Sequence, residues 1–192
     1  MERRELETAA ARATYLRGLT AVPLGLLFLL TGVGNLGWGP ATRPVVYLAG
    51  IALLAAAWLA ITRHYNDRYG RVQLANSQEV RFTLACFACF GAALIGGSVL
   101  DFRLDLAVSV FVVSFGLAML VWATISVGLR VDHLVVWGAL IVIGLLPIWG
   151  GPPDNTSAGW IPIGVATIVA GLLDHHTLSR TFGPVTDAHV GS

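Results

Sequence analysis

The sequence predicts an all-α, polytopic integral membrane protein: a bundle of six transmembrane helices in three antiparallel hairpins, with N and C termini cytoplasmic. Three observations predict it. Of 192 residues, 56% are apolar and 12% charged, against about 25% charged in soluble domains, and the mean hydropathy is +0.74. Six apolar stretches reach the roughly 20 residues that a spanning helix takes, at 18–38, 44–62, 82–100, 105–128, 134–150 and 158–173. The arginines also alternate in density from one connection to the next. Six spans take about 120 residues, so 1–192 is one transmembrane domain, flanked by a segment at 1–17 and a tail at 174–192. This excludes a cytosolic enzyme, a nucleic-acid-binding domain and a transporter carrying its own ATPase module.

The first stretch follows Glu2, Glu5 and Glu7 with no small-residue cleavage site after it, so it reads as a retained helix and not as a signal peptide. Gly18, Gly25 and Gly32 recur along it every seven residues, a stripe that lets another helix approach closely. A short turn at Gly39–Arg43 leads to the second stretch. The third carries two small-residue pairs of the same kind, Ala92 with Gly96 and Ala93 with Gly97, and two cysteines, Cys86 and Cys89. Those thiols lie among Phe82, Phe87 and Phe90, surroundings that suit packing better than the lowered thiol pKa of a redox pair. Asp101–Arg103 turns the chain into the fourth stretch, and GGPPDNTSAG, rich in turn-forming residues, separates the fifth from the sixth. Pro23, Pro147 and Pro162 fall inside spans, where proline kinks a helix.

Orientation follows from charge. All twelve basic residues are arginine, and ten of them (Arg3, Arg4, Arg12, Arg17, Arg63, Arg68, Arg71, Arg81, Arg130 and Arg180) fall on one side of the six spans, with Arg43 and Arg103 on the other. By the positive-inside rule both termini are cytoplasmic. Trp38, Trp149 and Trp160 then fall near outer helix ends and Trp58, Trp122 and Trp137 near inner ones, as interfacial rings do.

The first and last hairpins resemble one another. His64, Tyr65, Arg68, Tyr69, Gly70 and Val72 align with His175, His176, Arg180, Phe182, Gly183 and Val185, which suggests a parallel internal repeat. The segment ITRHYNDRYGRVQ (Ile61–Gln73) resembles a stretch that follows the second span in small, mostly uncharacterised multi-spanning membrane proteins of high-GC actinobacteria, and the DHHTLSRTFG tail is similar to theirs. The resemblance implies a multi-pass protein of the bacterial inner membrane. It carries no activity and no catalytic residue with it.

The spans hold almost no ionisable side chains, whereas proton relays and ion sites use Asp, Glu, His, Lys or Arg at depth. Ion-coupled transport is therefore disfavoured. The expected chemistry gathers on the cytoplasmic face, where His64, Tyr65, Arg68, Tyr69, Arg71, Arg130, His133, His175, His176 and Arg180 read either as a docking surface, with charge-assisted contacts and aromatic anchors, or as ordinary positive-inside charge at the headgroups. Asp174, His175, His176 and His133 have the residue types of zinc ligands, but neighbours on a helix point about 100° apart, so no metal, no cofactor and no catalytic residue is expected. The expected partners are the lipid bilayer and a cytoplasmic protein or a second copy of the chain, not nucleic acid. Two function classes fit: a non-enzymatic sensor or accessory subunit that docks a partner, and a small transporter or exporter of an apolar or weakly polar compound.

Overall fold

The structure, a computed structural model, describes residues 16–69, 76–104, 106–126, 128–149 and 154–181, with the backbone alone at Tyr69 and at 76–83. It is all-α. Six helices follow in order: α1 (Ala21–Asn35), entered through a 3-10 turn at Gly18–Thr20; α2 (Pro44–Tyr69); α3 (Asn76–Gly91, continued through a π-helical stretch at Ala92–Gly96 into Gly97–Arg103); α4 (Val110–Ser126); α5 (Val131–Leu145); and α6 (Asp154–Thr181). Among the described residues, Gly18–Asn35, Pro44–Arg68, Leu84–Arg103 and Asp154–Thr181 are long and apolar enough to cross a membrane, whereas α4 and α5 are shorter apolar helices.

Local chemistry sets these ends. α4 starts at 110, five residues after the expected start of its span, because Asp101 and Ser109 cap it. The buried Asp101 carboxylate accepts the backbone N–H groups of Val110 and Phe111 and the Ser109 hydroxyl, and Ser109 Oγ accepts from the Val112 N–H. α5 stops at Leu145, and Leu146 is already extended (ψ 137°) ahead of Pro147, the conformation that proline imposes on the residue before it. Pro147 therefore ends α5 and does not kink it. Pro23 stands in the first turn of α1, where a missing donor costs nothing, and Pro162 alone lies inside its helix.

The closest pairing joins α1 to α6, followed by α3 with α4 and α4 with α5, while α1 with α2 and α5 with α6 meet less extensively. The stripe of Gly18, Gly25 and Gly32 explains the first of these. Gly18 faces Gly171, Asp174 and His175, Gly25 faces Gly164 and Ile168, and Gly32 faces Trp160 and Ile161, so α1 and α6 run antiparallel. A β-carbon on Gly25 would stand 2.7 Å from the Gly164 carbonyl oxygen, nearer than a carbon can approach. Of the two small-residue pairs of α3, Ala92 with Gly96 does not pack as expected, since Ala92 is exposed and Gly96 has nothing within 4 Å, whereas Ala93 is buried and a β-carbon on Gly97 would press on Phe111 of α4. Both pairs lie in or beside a π-helical stretch at Ala92–Gly96.

The core lies among α1, α3, α4, α5 and α6. Phe111 and Phe28 meet Trp160 at centroid distances of 5.0 and 5.2 Å, and Phe115 takes Phe28 and Phe90 edge-on. Trp137 and Trp149, expected at the interfaces, are buried in this core, while Trp38 and Trp58 are exposed.

Candidate functional site

At one end of the bundle α1 begins, α2 and α4 end, α5 begins and α6 ends, and there the polar side chains meet. The connection from α4 passes Gly128, whose φ of 87° is open to glycine at no steric cost, and delivers Arg130 as the extended N-cap residue of α5. The Arg130 guanidinium grips Asp132 in the first turn of its own helix, donating from Nε to Oδ1 at 3.0 Å and from Nη2 to Oδ2. It also crosses to α6, where Nη1 donates to Asp174 Oδ1 at 2.9 Å and Nη2 to Thr177 Oγ1 at 2.6 Å. His133, only 3% exposed, places Nε2 2.9 Å from the same Asp174 oxygen. The other ring nitrogen, Nδ1, is the one buried side-chain polar atom among the described residues with no hydrogen-bond partner.

A second network joins α1, α2 and α6. Tyr65, fully buried between Leu16 and Leu178, bonds His175 Nδ1 at 2.8 Å and accepts the Leu19 N–H at 3.2 Å. Arg17 lies over the Tyr65 ring at 6.0 Å and donates to Asn66 Oδ1 at 2.7 Å. Burial pulls the Arg17 guanidinium below its ordinary pKa, and Tyr65 opposes the shift.

Between the two networks lies a cavity of about 150 Å³. Arg17 and Thr20 line it on one side, His133 and Asp174 on another, and Trp122 and Trp137 form aromatic walls. The two arginines and two aspartates of the cluster cancel in formal charge. Asp132, His133 and Asp174 bring ligand-type atoms within 4.8 Å of one another, but Arg130 already bonds both carboxylates, and a metal ion there would compete with a guanidinium. A second space, an apolar groove of about 650 Å³, runs between α5 and α6 beside Pro162, with Ile143, Ala158 and Val165 among its walls.

The residues expected on a docking face divide in two. Tyr65, Arg130, His133 and His175 are engaged within the bundle end, and Tyr65 and His133 are buried, so neither is available as a surface anchor. His64, Arg68, His176 and Arg180 are exposed. The side chain of Tyr69 and the whole of Arg71 lie outside the described residues. Asp174 was weighed in the sequence only as a zinc-type ligand beside His133, His175 and His176, and Arg17 was placed only at an inner helix end. Gly164 and Gly171, again seven residues apart, mark the face of α6 on which Asp174 follows one turn later, and that spacing was the available signal.

Compared with protein-family models, curated proteins and solved structures, the chain matches none of them.

Proposed function

We propose that the chain is a multi-pass protein of the bacterial inner membrane, crossing six times with both termini cytoplasmic, and that it acts without catalysis, as a sensor or accessory subunit docking a cytoplasmic partner. Membrane residence is supported by α2. None of its most apolar 18-residue stretch is buried, and Val45, Leu48 and Leu53 are 78%, 64% and 71% exposed. Apolar exposure on that scale marks contact with lipid or with another chain. The resemblance of Ile61–Gln73 to actinobacterial membrane proteins points to the same compartment.

The docking reading rests on one observation. The Tyr65–His175 hydrogen bond ties the ends of α2 and α6 together, and the exposed side chains beside it are His64, Arg68, His176 and Arg180. Basic side chains held on a rigid base form a surface suited to an acidic partner, because less side-chain and backbone freedom is lost on binding. The paired substitution Arg68→Ala/Arg180→Ala tests this in native membranes. Loss of a co-purifying protein with an unchanged melting temperature is the expected result, and an unchanged set of partners contradicts the docking role.

The groove beside Pro162 favours a second reading, a transporter or exporter of an apolar compound. Its size lies in the range of small-molecule sites, and it is apolar throughout. Uptake or efflux of apolar dyes by proteoliposomes, compared between the native chain and Ala158→Phe, tests it. Equal fluxes in the two speak against transport through this groove.

A further inference from the structure

We propose that the Tyr65–His175 hydrogen bond is a pH-operated latch between α2 and α6, closed while His175 is neutral and released when its ring takes a proton. Acidification of the cytoplasm then takes apart the basic surface on which the partner docks. The proposal deepens the docking reading by naming its regulation, and rests on that reading for its biological meaning alone. Three features carry it.

The first is position. α2 leans on α1, where Tyr47 bonds Thr31 and Leu30 covers Gly50. Its inner end is tied to α6 by the 2.8 Å bond between Tyr65 and His175 Nδ1. The second is access. Tyr65 is fully buried, but the His175 ring is half-buried, so a proton reaches it from the cytoplasm without unfolding the bundle. The third is charge. From α2, His64 lies beside the Tyr65 ring at a centroid distance of 6.3 Å; from the entry to α1, Arg17 lies over that ring at 6.0 Å; and on α6, His176 comes next in the chain. Asp67 and Arg68, further along α2, are both exposed and offset one another. Asp174, the neighbouring carboxylate on α6, is engaged by Arg130 and His133 of α5. A proton on His175 therefore arrives among basic groups, and turning the ring out to water relieves both its burial and the crowding. Burial, and after it His64 and His176, hold the ring below the ordinary histidine pKa of 6.5. A ring that is harder to protonate when latched than when released favours release once protonated. The latch is thus whole above about pH 6.5 and is lost as the pH falls from there through the lowered value.

Spin labels at Asp67→Cys and Ser179→Cys, both exposed positions, read the separation of the ends of α2 and α6 by dipolar coupling. The full-length protein carries Cys86→Ala and Cys89→Ala and sits in nanodiscs of neutral lipid. One short distance is expected at about pH 8, joined at about pH 5 by a longer one, with a midpoint below about 6.5. The change is reversible and follows the His175 ring in its own NMR titration. His175→Gln, which cannot take the proton, is expected to give the same distances at both ends of the range. His64→Gln/His176→Gln keeps the response and moves its midpoint up toward that of a free histidine. Tyr65→Phe shows the longer distance already at the alkaline end.

The titration of the labelled chain decides the matter even where Tyr65→Phe or His175→Gln fails to fold. An unchanged distance across the range, a midpoint apart from that of His175, or a response that survives His175→Gln overturns the proposal and leaves the Tyr65–His175 bond as fixed packing. Because no partner protein is present, failure here leaves the docking experiment above unaffected, and failure of docking leaves this measurement intact.

Discussion

Asp174 holds one end of the bundle because its Oδ1 serves two partners on α5, Arg130 and His133. Arg130→Met leaves two carboxylates without their cation. The cost is about 2 to 3 kcal/mol, toward the low side for breaking a buried pair because these side chains are partly solvated, and it reads out as a lowered unfolding midpoint in detergent. Glycine positions give an opposed pair of predictions. Gly25→Ala forces a carbon against the Gly164 carbonyl and lowers stability by about 1 to 3 kcal/mol. Gly96→Ala enters open space and changes it by no more than about 1 kcal/mol, in the favourable direction. The stripe of Gly18, Gly25 and Gly32 was legible in the sequence because a heptad spacing marks one helix face. The bonds that Asp174 makes to Arg130 and His133 were not, since those partners lie more than forty residues away and no periodicity links them. The proposed repeat fares unevenly at this scale: Tyr65 is fully buried, while His176, its aligned counterpart, is exposed.

Helix existence was readable from apolar run length, and helix ends were not, because the ends are set by capping and by proline. The start of α4 depends on a carboxylate from the end of α3. Asp101→Ala frees the Val110 and Phe111 N–H groups, and the expected loss is about 2 kcal/mol, the upper range for a helix cap, with faster amide exchange confined to the first turn of α4. An unchanged exchange rate there removes Asp101 from this role. Both small-residue pairs of α3 were visible in the sequence, but the spacing is the same in each, and the structure packs Ala93 and Gly97 where Ala92 and Gly96 are left open. Proline shows the same dependence on context: Pro147 stops a helix, Pro23 begins one, and Pro162 alone sits within one beside a groove.

For the whole molecule, composition foretold long apolar helices and was silent about packing order. Among the described residues four stretches are long and apolar enough to cross a membrane, where a helix satisfies its own backbone polar groups. Which helices pair depends on matching surfaces, and the closest pairing joins α1 to α6, the two ends of the chain. That pairing brings the start of α1 beside the end of α6, so both lie at one end of the bundle with Arg17, Asp174 and His175 between them. The account rests above all on this arrangement having an inside and an outside. Topology reporters fused at residue 1, at residue 192 and within the Gly39–Arg43 turn measure it directly in the native membrane. The account predicts cytoplasmic signals at both ends and an external signal at the turn. A terminus reporting from outside, or a turn reporting from within, contradicts it.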